Sequence, residues 1–241
     1  MLIKTRGIIF RAIKYSETSI ITDVYTEEKG LRTYIISGVR TKKSKVSAGL
    51  LQVMTLVDLI VYHRDDKDMQ RIKEIKSAHV FQSLPFDVRK GAIGMFMVEL
   101  ARKAIREQEE NQALFNFLFQ TFQYLDETKE PIANLHLSFM IGLSAYLGFL
   151  PEGEATSVKP FFDLREGIFT AESPHHSYVL NEKMAMLFSQ FLKSNLKICH
   201  NISISRSDRN LLLNQLITFY RLHIENLQQI NSHSILKEIL G

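Results

Sequence analysis

The stretch GVRTKKSKVSAG, residues 38–49, holds the residue types with the clearest binding chemistry in the sequence. It has no carboxylate and a glycine near each end, and its four cations are Arg40, Lys42, Lys43 and Lys45. Such a cluster binds the phosphates of a nucleic acid or an anionic lipid surface, or it forms only a solvated face. A membrane-bound segment needs an apolar face, which this stretch lacks. The stretch therefore favours contact with a polynucleotide, and a passive surface is the alternative.

More cations lie on the strands predicted around this loop, enough to form a stripe. The predicted nucleic-acid-binding residues are Arg6, Arg11, Lys14, Arg32, Arg40, Lys42, Lys43 and Lys45. Residues 1–80 contain 15 Lys and Arg against 9 Asp and Glu, a net charge of +6, so the whole-chain charge of +4 leaves −2 for the rest. A polyanion is therefore expected to dock on the N-terminal part. Four tyrosines there are candidates for stacking on bases, although tyrosines in strands more often belong to a core: Tyr15, Tyr25, Tyr34 and Tyr62.

The other residues with chemical potential are not spaced as a site. Adjacent histidines in a strand point to opposite faces, so an exposed turn is predicted for His175 and His176. The carboxylates within residues 65–68 lack the glycine of a calcium loop and predict a solvated hairpin turn. The single cysteine, Cys199, excludes an internal disulfide and a cysteine-rich zinc site. With no Gly-rich phosphate loop and no GxSxG motif, we predict a protein that is not an enzyme and has no metal site and no cofactor.

The elements that must position these residues begin with a small barrel. Segments rich in β-branched residues, with polar residues interleaved, predict five short strands within about the first 80 residues. The EEKG sequence at 27–30 predicts a hairpin turn in which Gly30 takes a positive φ. So short a chain cannot cover both faces of an open sheet, and closure into a barrel is therefore expected.

From Pro85 onwards apolar residues recur every three or four positions, which predicts helices. The predicted domains are a barrel at 1–82 and an all-helical domain at 85–241, with an irregular insert at 151–180. The insert is expected to fold around a short hairpin at FFDLREGIF.

The uncharged segment 132–150 has about the length of a membrane span, but its polar residues and flanking prolines predict a buried helix. Without a leader sequence, the expected location is the cytoplasm.

A resemblance to a known family rests on ten residues in a fixed order. These are Thr5, Gly7, Tyr15, Glu17, Thr26, Gly30, Gly38, Arg40, Lys43 and Ser44. The later LGFLP and FFDLREGIF stretches fit the same pattern. In this order and spacing the chain resembles the RecO family of DNA repair and recombination mediator proteins. The similarity spans most of the chain and is strongest over residues 4–52.

The resemblance implies an α+β chain, in which a five-stranded OB-fold barrel is followed by the helical domain. It also implies a protein of the bacterial nucleoid that binds single- and double-stranded DNA and anneals complementary strands. The implied partners are RecR, single-strand binding protein and, indirectly, RecA. The protein would help RecA to displace single-strand binding protein from DNA. Two positions depart from the family pattern. Ser37 stands where many members have a lysine, which lowers the expected local affinity, and the insert lacks the four cysteines that hold zinc in some members.

Two functions of other classes stay open. One is an interaction scaffold, whose helical domain has an apolar groove for an acidic peptide tail. The predicted flanking cations of that groove are Arg102, Lys103 and Arg106. The other is an RNA-binding OB-fold protein, because no residue in the barrel distinguishes DNA from RNA.

Overall fold

The computed structural model describes residues 1–39, 47–64, 66–105 and 109–240. Its contacts divide the chain into two compact units. Unit 1 comprises residues 1–87 and 105–127, and unit 2 comprises residues 88–104 and 128–241. The domain boundary between residues 82 and 85 stays a prediction from the sequence.

Unit 1 contains a closed five-stranded barrel. Its strands are β1 Leu2–Lys14, β2 Ile20–Thr26, β3 Gly30–Ile36, β4 Leu56–Tyr62 and β5 Met69–Ser77. They close in the order β1-β2-β3-β5-β4, with β3 and β5 parallel and the other neighbours antiparallel. The predicted barrel is confirmed, and so is the hairpin turn between β2 and β3, where Gly30 has a φ of 59°.

Side chains point alternately to the two faces of each strand, and those on one face fill the interior of the barrel. Val57, Leu59 and Val61 of β4 are all buried in the barrel core. Gly7 of β1 leaves room for this core, because a Cβ at that position would lie 2.6 Å from Cγ1 of Val24 and 3.1 Å from Cδ1 of Leu59. A side chain therefore does not fit at Gly7 unless the packed core moves.

Replacing Gly7 with alanine is expected to lower the free energy of unfolding by about 1–3 kcal/mol, because the new methyl group must displace the stiff, fully buried Val24. Urea unfolding followed by circular dichroism measures this change. Gly49→Ala is a matched control, since its Cβ would lie 3.4 Å from Oγ of Ser47 at an exposed position. A loss at Gly49 as large as the loss at Gly7 would contradict the explanation.

Six helices follow in the described residues. They are α1 Val88–Ala104, α2 Gln112–Glu127, α3 Leu135–Tyr146, α4 Glu182–Leu192, α5 Arg206–His223 and α6 Ser232–Leu240. Of these, α2 belongs to unit 1, where Tyr25 of the barrel stacks on Phe115 of α2 with ring centroids 6.2 Å apart. The side chain of Asn111 caps α2 by accepting a hydrogen bond from the backbone N–H of Leu114 at 3.0 Å.

The carboxylate of Asp126, near the end of α2, holds the chain that leaves the barrel. It accepts hydrogen bonds from the backbone N–H groups of Gln82, Ser83 and Leu84 at 2.9, 2.8 and 2.7 Å. His79 Nε2 lies 3.4 Å from the same carboxylate. Residues 82–84 are therefore fixed to α2 by one buried side chain.

Unit 2 contains the other five described helices and a small sheet. The predicted hairpin in the insert is confirmed as β6 Phe161–Asp163 and β7 Ile168–Thr170, and a third strand, β8 Val179–Leu180, also pairs with β6. The centre of segment 132–150 forms α3, most of which is buried, and Tyr220 of α5 donates a hydrogen bond from Oη to the carbonyl of Met140 at 2.6 Å. In the described ranges, no helix combines the length and the apolar character needed to cross a membrane.

Candidate nucleic-acid interface

Arg6, one of the predicted DNA-binding cations, is held by its own unit. Its Nε and Nη2 atoms donate to the two carboxylate oxygens of Glu27 at 2.8 and 2.6 Å, and Nη2 also donates to Oδ1 of Asn116 at 3.2 Å. Its guanidinium lies 5.3 and 4.9 Å from the ring centroids of Phe115 and Phe119. The hydrogen bond from Arg6 is the main reason that the pKa of Glu27 lies below its usual value. Arg6 therefore joins β1 to α2, with its Nε and Nη2 donors already engaged.

The other predicted cations on strands differ in their surroundings. Arg11 donates from Nε to Oδ2 of Asp23 at 2.7 Å, and Thr33 donates to the other oxygen of that carboxylate at 3.0 Å. Arg32 is half-buried on β3, and Lys14 is exposed at the end of β1. Of these four cations, Arg6 and Arg11 are therefore each paired with a carboxylate of the barrel.

The structure describes only the two ends of the predicted basic stretch, residues 38–39 and 47–49. Arg40, Lys42, Lys43 and Lys45 lie outside the described residues, so their role stays a prediction. At the start of the stretch, Val39 donates its N–H to the carbonyl of Thr18 at 3.1 Å, and Gly38 has a φ of 77°, in the left-handed region that favours glycine. At its end, a 3-10 helix runs over Ala48–Leu51.

Sequence reasoning missed a cationic groove at the junction of β3 and β5, which we call the β3–β5 groove. It encloses about 700 Å³, and its charged lining residues are Arg64, Lys67, Arg71 and Lys73. None of the described residues that line it is a carboxylate. Asp66 and Asp68 are exposed in the same β4–β5 loop and do not line the groove. Ser37, which precedes the basic loop, also lines it.

Gln70 fixes the β4–β5 loop that presents two of these cations. Its buried amide accepts from the backbone N–H of Arg64 at 2.9 Å and donates to the carbonyl of Arg64 at 2.7 Å and to that of Lys67. The sequence contains a signal for the groove, because MQRIKEIK alternates inward Gln70 and Ile72 with outward Arg71 and Lys73.

The four candidate stacking tyrosines divide into two classes. Tyr25 and Tyr34 are core residues with almost no exposed surface, so they cannot stack on a base. Tyr15 is 64% exposed at the turn after β1, and Tyr62 is 45% exposed at the end of β4. Of the two, Tyr62 lines the β3–β5 groove.

The cations predicted to flank a partner groove lie on and after α1. Arg102 is half-buried, and Arg106 lies outside the described residues. The side chain of Lys103 is only 8% exposed, and its ammonium group donates to Glu99 and to the carbonyl of Gln229. Lys103 is therefore committed to contacts inside unit 2.

The contacts of Glu99 show what its ion pair with Lys103 does in unit 2. Its carboxylate also accepts from the backbone N–H groups of Asn231 and Ser232, at 3.1 and 2.7 Å, where α6 begins. Burial alone would raise the pKa of Glu99, but the hydrogen bonds from Lys103, Ser232 and Asn231 outweigh it and bring the pKa to about 2. The pair of Glu99 and Lys103 therefore docks the start of α6 on α1.

The insert contains one pair of metal-type ligands. His176 Nε2 lies 3.2 Å from Oδ2 of Asp163, while His175 is exposed. The other oxygen of Asp163 accepts from the backbone N–H of Arg165 at 2.7 Å, which closes the β6–β7 turn. Among the described residues, no group of three or more His, Cys, Asp or Glu side chains is placed to hold a metal ion.

A closed five-stranded barrel in this strand order is typical of the OB-fold class of proteins. Two family descriptions match the chain: "Recombination protein O N terminal" over residues 1–81 and "Recombination protein O C terminal" over residues 85–231. The chain belongs to the RecO family of DNA repair proteins.

Relatives of similar length support the same assignment. The chain is 39% identical over 242 residues to "DNA repair protein RecO" of Christiangramia forsetii, and the match covers 100% of both chains. It is 34% identical over 241 residues to the protein of that name in Phocaeicola vulgatus, again over 100% of both chains. With the protein of that name in Flavobacterium psychrophilum, the identity is 33% over 243 residues and 100% of both chains.

Proposed function

We propose that this protein binds single- and double-stranded DNA through its barrel and anneals complementary strands in recombinational repair. The proposed partners are RecR, single-strand binding protein and, indirectly, RecA, and the proposed place of action is the nucleoid, in the cytoplasm. Membership of a DNA repair family supports this role. The single observation that carries it is the gathering of Arg64, Lys67, Arg71 and Lys73 around a groove with no carboxylate among its described lining residues.

The proposed mechanism requires no covalent chemistry on DNA. Two strands repel each other because both are negatively charged, and a cationic surface that holds them lowers this repulsion. Every phosphate that a lysine or arginine neutralises releases condensed counterions, which favours binding by entropy. The protein therefore acts as a surface on which strands meet and pair.

A salt titration with single-stranded DNA tests the proposal. The four cations of the groove and the four of the basic loop would make about eight phosphate contacts, and each contributes about 0.7 to the slope. The expected slope of log affinity against log salt concentration is therefore about −5 to −6. A mobility-shift assay at several salt concentrations measures it. No binding at low salt, or displacement of the DNA by a much lower concentration of RNA of the same sequence, would contradict the proposal.

A further inference from the structure

We infer that the β3–β5 groove holds one single strand of DNA, with phosphates on its four cations and a base stacked on Tyr62. This inference rests on the proposed function and adds to it the residues and the form of DNA that they select. Nothing in the family assignment names these residues, and they lie outside the ten that carry the sequence resemblance.

The first argument is that the groove cations are available. In the described parts of the chain, no carboxylate lies within ion-pair distance of Arg64, Lys67 or Arg71, and Lys73 lies 3.7 Å from its exposed neighbour Glu74. Arg6, by contrast, already holds a carboxylate through its Nε and Nη2 donors. A cation that is already paired must give up its carboxylate before it can hold a phosphate. Among the described residues Arg64, Lys67 and Arg71 have no such cost, and Lys73 has only an exposed pair with its neighbour Glu74, which contributes little.

The second argument is their spacing along β5. Arg71 and Lys73 are two residues apart on β5 and both line the groove, with Cα atoms about 6–7 Å apart, and the register of β5 against β4 shifts at Lys73. Cations at such an interval can contact successive phosphates of one extended strand. Gln70 holds the loop that carries Arg64 and Lys67, so the remaining two cations are placed before the DNA arrives.

The third argument concerns the form of the DNA. Tyr62 lies directly opposite Arg71 in the β4–β5 ladder, which puts an exposed aromatic ring beside a phosphate-binding cation. Met69 adds a second exposed apolar side chain to the groove. A base of a single strand is free to stack on such a ring, whereas the bases of a duplex are already stacked and paired with each other. The groove is therefore expected to favour single strands.

The test uses the full chain, a fluorescent oligo-dT of about 16 nucleotides and a hairpin duplex, with binding followed by anisotropy. The double variant Arg71→Gln, Lys73→Gln is expected to bind oligo-dT about tenfold more weakly at low salt, with a salt slope less steep by about 1.4. Tyr62→Leu is expected to weaken oligo-dT binding at least fivefold, with the salt slope and the duplex affinity unchanged. Circular dichroism and thermal unfolding establish that each variant is folded.

The matched control is the double variant Lys4→Gln, Lys76→Gln. These two exposed lysines belong to the same barrel but line a different groove, and the change in net charge is the same. We expect this control to change oligo-dT affinity less than threefold.

Equal losses in the two double variants, unchanged affinity in Tyr62→Leu, or displacement of oligo-dT by an equally charged polyglutamate peptide would each overturn the inference. If the wild-type chain binds no DNA, the proposed function fails; if it binds DNA and the groove variants do not differ from it, only this inference fails.

Discussion

Replacement of the four loop cations, Arg40, Lys42, Lys43 and Lys45, with alanine is expected to weaken binding of single-stranded DNA by well over tenfold at low salt. The stretch has no carboxylate in its own sequence, so no residue within it can neutralise these four charges. Loss of about four phosphate contacts would also make the salt slope less steep by about 3. A mobility-shift titration at several salt concentrations measures both quantities.

A charge-matched variant separates loop contacts from the effect of net charge. It replaces with alanine four exposed lysines of unit 2: Lys159, Lys183, Lys193 and Lys197. These lysines lie outside the barrel and carry the same total charge, so their loss is expected to affect binding only through net charge, an effect that added salt screens. If the folded loop variant binds as the wild-type chain does, the DNA site lies elsewhere, in the β3–β5 groove or on the helices.

The barrel itself could be predicted because its signals are local. Alternation of apolar residues and the EEKG turn depend on residues close together in sequence, and both appear in the structure as expected. The role of Arg6 could not be predicted in the same way. Its partners are Glu27, 21 residues away, and Asn116, 110 residues away, and no local pattern encodes such pairs. A count of cations therefore does not show which of them the fold pairs with carboxylates.

The groove was missed for a different reason. The carboxylates within residues 65–68 predict a solvated hairpin turn, and the predicted DNA-binding residues do not include Arg64 and Lys67 of the same segment. In the structure Asp66 and Asp68 are exposed outside the groove, while the two cations line it. The direction in which a loop side chain points depends on contacts such as those of Gln70, which composition does not record.

One residue of the predicted partner surface, Lys103, has an ion pair that a short-range sequence pattern indicates. Glu99 and Lys103 are four residues apart on α1, a spacing at which a helix brings opposite charges together. That spacing indicates that Lys103 has a partner of its own. It does not indicate that the same carboxylate also binds the start of α6, because this contact spans more than 130 residues.

Replacement of Asp126 with alanine is expected to lower the free energy of unfolding by about 3 kcal/mol. The side chain is 0% exposed, and its removal leaves three backbone N–H groups, those of Gln82, Ser83 and Leu84, without their carboxylate acceptor. Urea unfolding of the full chain, followed by circular dichroism, measures the loss.

The neighbouring residue supplies the control for this prediction. Glu127→Ala removes the same charge from the same helix end, but Glu127 is exposed, so a change below about 0.5 kcal/mol is expected. Similar losses in the two variants would show that charge near the end of α2 matters, and not the hydrogen bonds of Asp126.

The pH dependence of the Asp126→Asn variant separates the charge of this side chain from its packing. Burial alone would raise the pKa of Asp126, but hydrogen bonds from Gln82, Leu84, Ser83 and His79 outweigh it, so the pKa lies below the usual 3.8. A carboxyl with a lowered pKa stabilises the fold above its unfolded pKa, and this contribution is lost as the pH falls through the folded value. The stability difference between wild type and Asp126→Asn is therefore expected to be full above about pH 5 and to shrink below about pH 4. A difference that stays constant over this range would assign the effect of Asp126 to shape, because an uncharged contact does not depend on protonation.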